Sequence, residues 1–131
     1  MEFEEILAAV LECRSRPETL QPLLAREAEW ELAADPAGWN YAGRRKSRDA
    51  VLGYLQAFAV EFAIASMERL ETLIEGEQAC MRYVMGLRHR GTGRSAMMDC
   101  LCFIRVEGGL IVEGVDMLDS SKLYRLRESQ F

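Results

Sequence analysis

The stretch Leu110-Ile111-Val112-Glu113-Gly114-Val115-Asp116-Met117-Leu118-Asp119 reads as a strand that carries an acid on an otherwise apolar stripe. Alternate residues of a strand face the same way, which puts Leu110, Val112, Gly114, Asp116 and Leu118 on one side. A carboxylate in that setting finds a partner, stays protonated or does chemistry. As a general acid or base, Asp116 would need apolar burial to move its pKa toward neutrality. The competing reading is a strand-end carboxylate hydrogen-bonded to a helix or loop.

Two further strands supply the groups that would work beside it. Over 78–90, Met81, Tyr83, Met85, Leu87 and His89 share one face while Arg82, Arg88 and Arg90 take the other. The arginine-free side is expected to face inward. Over 96–107 the inward set is Met98, Cys100, Cys102 and Ile104. Tyr83 could donate to a carbonyl or enolate oxygen, or be an ordinary buried tyrosine with one partner. Cys102 is a poor nucleophile without a base or cation beside it, so a packing role is favoured. His89 could pair with Asp116, but beside Arg88 and Arg90 a rim histidine open to water is the stronger expectation. The methionines suit an apolar ligand of irregular shape, although core filling is their commoner role.

These strands need supports. Phe3, Ile6, Leu7, Val10 and Leu11 repeat at helical spacing, with Glu2, Glu4 and Glu5 at the positive end. Ser15-Arg16-Pro17-Glu18 resembles a capping box that opens a short second helix, kept short by Pro22. A short strand is expected over 28–32 around Trp30, and a loop over 33–46 containing Asp35-Pro36-Ala37-Gly38, Trp39 and Tyr41. Trp39 and Tyr41 either form a lid over a pocket or anchor the loop to the core. Ser47 caps a third helix with Val51, Leu55, Phe58 and Phe62 inward. Strands over 65–75, 78–90, 96–107 and 110–118 follow, separated only by turns, so they pair antiparallel. Asp119 or Ser120 caps a last helix with Leu123 and Leu126 inward. Helices first and a meander afterwards define an α+β domain with helices on one sheet face. Such a curved sheet over a helix leaves a conical cavity, expected to be lined by Trp30, Asp35, Trp39, Tyr41, Tyr54, Phe58, Met81, Met85, His89, Met98, Cys100 and Val112, with Tyr83, Cys102 and Asp116 as the candidate catalytic groups.

Composition narrows the function classes. At 131 residues with half of them hydrophobic, one domain with a real core is expected, over 1–131. No run approaches the length a membrane helix needs, and the acidic start, Met1-Glu2-Phe3-Glu4-Glu5, is unlike a secretory or transit peptide. The four cysteines lack zinc spacing and read as reduced thiols, which points to the cytoplasm. No metal and no cofactor is implied. A net charge of −5 argues against nucleic acid. The basic run Arg44-Arg45-Lys46-Ser47-Arg48 is expected to be a solvated loop.

With those elements in order, the chain resembles the nuclear transport factor 2-like superfamily, and within it SnoaL-like polyketide cyclases, ketosteroid isomerases and limonene epoxide hydrolases. The segments that carry the likeness are Leu23-Leu24-Ala25-Arg26-Glu27-Ala28-Glu29-Trp30-Glu31, Gly91-Thr92-Gly93-Arg94-Ser95 and Phe103-Ile104-Arg105-Val106-Glu107-Gly108-Gly109-Leu110-Ile111-Val112-Glu113. The resemblance implies a conical, cystatin-like α+β barrel. It has three N-terminal helices on a curved antiparallel sheet and a short C-terminal helix. It also implies a small-molecule pocket and pairing through the outer sheet face at Met97, Leu101, Phe103, Ile111, Val115 and Met117. The cyclase Asp falls on Asp116, but the cyclase His and the isomerase acid both fall on Cys102. The isomerase base falls nearest Asp35. Of the epoxide hydrolase set, Asp116 matches, while the other two positions hold Tyr83 and Met85. Each known catalytic set is incomplete.

The expectation is therefore a small, largely apolar ligand in a cone, with isomerase, cyclase or dehydratase chemistry through Asp116, helped by Tyr83 or Cys102. The alternative is a non-catalytic dimeric ligand-binding or interaction module.

Overall fold

A computed structural model describes residues 2–34 and 40–128. Asp35 and Trp39, both expected to line the pocket, lie outside the described residues. Helix α1 spans Phe3–Glu12 and buries Ile6, Leu7 and Val10, with Glu4 and Glu5 in its first turn. A 3₁₀ helix follows at Pro17–Leu23. The expected capping box does not form: Arg16 is the N-cap and makes no side-chain cap bond, while Ser15 Oγ donates back to the Glu12 carbonyl. With Pro17 at the start and Pro22 inside, the segment lacks the donors a longer α-helix needs.

Strand β1 runs Leu24–Leu32, four residues earlier than the alternation around Trp30 suggests. A register shift between Leu24 and Glu29 explains the difference. It leaves Arg26 and Glu27 both exposed, breaking the alternation by which a strand is recognised. Strand β2, Gly43–Lys46, lies inside the expected loop and pairs antiparallel with β1. The first three residues of the basic run, Arg44-Arg45-Lys46, are thus part of an edge strand, in which Arg44 pairs with Glu29 and Glu31 across the ladder and with Glu113.

Helix α2, Arg48–Glu61, is capped by Ser47, whose hydroxyl accepts from the Ala50 amide. Strands β3 (Phe62–Glu75), β4 (Gln78–His89), β5 (Ser95–Glu107) and β6 (Leu110–Met117) form the meander. Helix α3, Ser120–Arg127, is capped by Asp119 and buries Leu123 and Leu126. The sheet order is β2-β1-β6-β5-β4-β3, an open six-stranded layer. All neighbours are antiparallel except β1 and β6, which pair in parallel.

A bulge in β6 re-aims its side chains. Val106 pairs with Ile111 and Arg105 with Glu113, so Val112 is the extra residue. Ile111 therefore turns into the core at 0% exposure, while Val112 is only half-buried. Two expectations fail here: Val112 does not share a side with Gly114 and Asp116, and Ile111 does not belong to the outer face. The other inward residues of β4 and β5 hold their places, and Met81, Tyr83, Met85, Met98, Cys100 and Cys102 are all buried.

Candidate functional site

Asp116 sits near the end of β6, buried to 1% exposure. Its partner comes from the other end of the chain. Arg14, just past the end of α1, donates from Nη2 to Asp116 Oδ1 at 2.6 Å and from Nη1 to Oδ2 at 2.7 Å. Trp30 Nε1 and the Tyr54 hydroxyl also donate to Oδ2, at 2.9 and 3.0 Å. Arg14 Nη2 also lies 3.5 Å from Cys102 Sγ. The guanidinium carbon is 5.6 Å from the Trp30 ring centre and 6.0 Å from that of Tyr83, within reach of both aromatic faces.

This arrangement decides the charge states. Burial alone would raise the Asp116 carboxyl. The charge and hydrogen bonds of Arg14, joined by Trp30 and Cys102, outweigh that and hold it below the ordinary aspartate range. Arg14 is pushed the other way: burial disfavours its charge, but Asp116 beside it more than compensates. Burial pushes the hydroxyls of Tyr54 and Tyr83 and the thiol of Cys102 well above their usual values. Cys13 and Cys100 are pushed up to about 12 in the same way. The cluster is one buried ion pair surrounded by protonated phenols and thiols. Its carboxylate is an acceptor with no proton to give, so the general-acid role considered for Asp116 does not fit. Cys102, held as a thiol, is no nucleophile here.

Arg14, Tyr54, Leu55, Phe58, Tyr83, Met85, Asp116 and Leu118 line a cavity of about 10 Å³, room for about one water molecule. The expected hollow is therefore closed nearly tight, with Arg14 among its lining residues. A larger open groove of about 410 Å³, lined by Leu73, Ile74, Glu75, Gln78, Ala79, Cys80 and Phe103, lies at the β3–β4 hairpin end. Its lining is mainly apolar, with Glu75 and Gln78 as the polar members.

Of the residues expected at the site, Tyr54, Phe58, Tyr83, Met85 and Asp116 line the cavity, and Trp30 and Cys102 join them through contacts to the ion pair. Met81, Met98 and Cys100 are buried but do not line the cavity. His89 is neither a rim residue nor a partner of Asp116. It is 8% exposed and its Nε2 lies 2.8 Å from Glu61 Oε2. Its Nδ1 accepts from the Thr92 amide at 3.0 Å, so the ring proton sits on Nε2 and donates to Glu61. Glu61 also accepts from the Tyr41 hydroxyl at 2.7 Å and from Arg127 at 2.7 and 2.8 Å. Tyr41 therefore ties its segment to α2 and α3 instead of lining the cavity.

Burial would raise the Glu61 carboxyl, but the bonds from Arg127, Tyr41 and His89 bring it down to about 2. A lowered folded-state pKa stabilises the protein above the unfolded value near 4.5 and ceases to do so as pH falls toward about 2. Urea unfolding followed from about pH 6 to pH 2 should show at most about 3 kcal/mol of this loss. Asp116 contributes over part of the same window, so the difference between wild type and Glu61→Gln isolates Glu61. An equal slope in both proteins would contradict the assignment.

Arg14 and Glu61 are absent from the sequence-based set. Arg14 had a signal: it follows Phe3, Leu7 and Val10 at inward helical spacing, an arginine in phase with an apolar face. Glu61 had none, since the turn from α2 into β3 between Glu61 and Phe62 has no breaker residue.

An open six-stranded sheet with helices before and after its meander defines the class. A SnoaL-like domain model matches residues 4–114, and the chain belongs to that family. No curated protein matches the chain. Among solved structures, a candidate isomerase from Rhodopseudomonas palustris is 20% identical, covering 95% of this chain and 91% of that one, with a TM-score of 0.78. A protein with a ketosteroid isomerase-like fold from Catenulispora acidiphila, in complex with trimethylamine, is 16% identical over 86% of this chain and 83% of that one, TM-score 0.72. A candidate SnoaL-like polyketide cyclase from Mesorhizobium loti is 16% identical over 88% and 98% respectively, TM-score 0.69. At such identities the likeness is one of fold, and chemistry must be argued from the residues.

Proposed function

We propose that the chain binds a small, largely apolar molecule at the cavity between Arg14, Tyr54, Phe58, Tyr83, Met85 and Leu118. The observation that carries this reading is the Arg14–Asp116 pair. A buried ion pair is replaceable by apolar side chains at little or no loss of stability, and here it stands where the cavity is. Leu55, Phe58, Met85 and Leu118 supply the apolar part of the lining. Entry requires a lining side chain to move, and Leu118, half-buried between β6 and α3, is placed to do so. Isomerase, cyclase or dehydratase chemistry here would use Asp116 as the counter-ion that fixes Arg14, with Tyr83 steadying an oxygen. Four free cysteines agree with a cytoplasmic protein.

A thermal-shift screen of the full chain against steroid-like and polyketide-like compounds tests the reading, because a ligand of the native state raises stability with concentration. Expected is a subset of compounds whose protons show contacts to the Leu118, Met85 and Phe58 side chains by NMR. Failure of every compound would contradict it.

A second reading, a non-catalytic dimeric module, is favoured by the outer sheet face. Cys80 stands opposite Leu73 and Phe103, Phe103 opposite Val115, and Leu101 opposite Met117, in two cross-strand rows. Leu73, Leu101, Met97 and Met117 are exposed. Sedimentation showing a dimer in a chain that binds none of the compounds would select it.

A further inference from the structure

We infer that the cleft between the start of β5 and helix α3 binds a doubly charged phosphoryl group, as free phosphate or as the phosphate ester of a small molecule. This site is separate from the cone and does not depend on what the cone binds.

The cleft has a volume of about 240 Å³ and is lined by Arg94, Ser95, Ala96, Lys122, Arg125 and Leu126. Three of those six residues are cations and none is an acid. In a chain of net charge −5, such a gathering runs against the overall balance, and the like charges repel unless an anion sits among them. No ion pair among the described residues includes Arg94, Lys122 or Arg125. Two carboxylates lie near, Asp99 and Asp119. Each is held below the ordinary aspartate range chiefly by its own partner, Arg82 or Ser121, and only secondarily by Lys122 or Arg125. Neither lines the cleft.

Backbone carbonyls fix two of the cations without neutralising them. Lys122 Nζ donates to the Met97 carbonyl at 3.1 Å. Arg94 Nη1 donates to the carbonyls of Arg125 and Glu128, both at 2.9 Å. An ammonium has three donors and a guanidinium five, so Lys122 keeps donors to spare, and Arg94 keeps those of Nε and Nη2. Ser95 adds a hydroxyl, and Arg88 stands opposite it across the β4–β5 ladder. The last carbonyls of α3 would repel an anion, but they are already met. Thr92 Oγ1 donates to that of Leu126 at 2.7 Å, and Arg94 takes the other two.

The number of charges selects the ligand class. A carboxylate or a chloride offsets one of three cations. A phosphoryl group carries about −1.5 to −2 at neutral pH and offers three strong acceptor oxygens, and arginine is a favoured partner for it. A polynucleotide would have to meet a surface with an overall excess of acid.

NMR titration of the full chain at about pH 7.5 and constant ionic strength tests the site, with sodium phosphate, methyl phosphate, acetate and chloride as probes. Expected are saturating shifts at the Ser95 and Ala96 amides and at Arg125 Nε–H with phosphate, at an affinity at least about tenfold above acetate's. Arg125→Gln removes an exposed side chain and should weaken phosphate by at least about fivefold, while Arg125→Lys retains most of the affinity. Arg16→Gln, which removes an exposed cation outside the cleft, should leave it unchanged. Methyl phosphate binding as well as phosphate would support an esterified ligand, and phosphate binding alone would support the free anion. Phosphate that shifts these resonances no more than acetate does, or that binds Arg125→Gln as it binds wild type, would overturn the inference and leave the reading of the cone untouched.

Discussion

Asp116→Asn should destabilise the fold by about 3–5 kcal/mol at neutral pH, the range for breaking a buried ion pair from one side. The size follows from what is left behind. Arginine cannot shed its proton in a protein, and the Arg14 side chain is only 6% exposed. Without the carboxylate its charge has no escape. Arg14→Met breaks the same pair from the other side, but Asp116 can then take a proton. Burial without Arg14 would raise its pKa, so the variant should regain stability as pH falls, the reverse of wild type. Arg14→Met combined with Asp116→Leu removes both charges and should recover most of the loss, to within about 1–2 kcal/mol of wild type. Urea midpoints of the four proteins at neutral and mildly acid pH check all three statements. Asp116→Asn within about 1 kcal/mol of wild type would show that the pair is not a buried one.

Gly114→Ala should be nearly as damaging for a purely steric reason. A Cβ there would lie 2.5, 2.6 and 2.7 Å from three atoms of the Trp30 indole. Trp30 is fully buried and pairs directly with Gly114 across β1 and β6. The ring cannot yield without withdrawing its Nε1–H from Asp116. Overpacking of about 1–3 kcal/mol and a weakened charge-assisted hydrogen bond of similar size sum to about 2–6 kcal/mol. Gly53→Ala is the control: it lies inside α2, exposed, with nothing within 4 Å of the added carbon. It should stabilise by about 0.5–1 kcal/mol. A Gly114→Ala protein as stable as wild type would contradict the packing of the indole on β6.

The fold was legible because its signals are local. The inward spacing of Ile6, Leu7 and Val10, the Ser47 and Asp119 caps, and the turns at Gly76, Gly93 and Gly108 each depend on a few neighbouring residues. What stayed hidden depends on pairing between distant segments. The parallel contact of β1 with β6 brings residues 24–32 beside 111–116, which no alternation announces. The bulge at Val112 reverses a phase that the sequence alone would continue unbroken.

The site divides the same way. Asp116, Trp30, Tyr54 and Tyr83 could be placed from strand and helix periodicity. Arg14 was in phase with an apolar face yet looked like one more charged residue at a helix end. Its side chain joins residues 102 positions apart, and that one contact changes the expected chemistry. It turns a carboxyl considered as an acid into a fixed anion, beside a space that was expected to be open and measures about 10 Å³. His89 was misassigned for a related reason, since its partner Glu61 is 28 positions away.

Following the carboxyl carbon of Asp116 by NMR while the folded protein is titrated is the most direct measurement. If Arg14, Trp30 and Tyr54 hold it as an anion, its resonance should show no inflection between about pH 7 and pH 4. An inflection above about pH 5 would mean a proton on that oxygen at the floor of the cone, and the buried ion pair would not be the state in which this protein works.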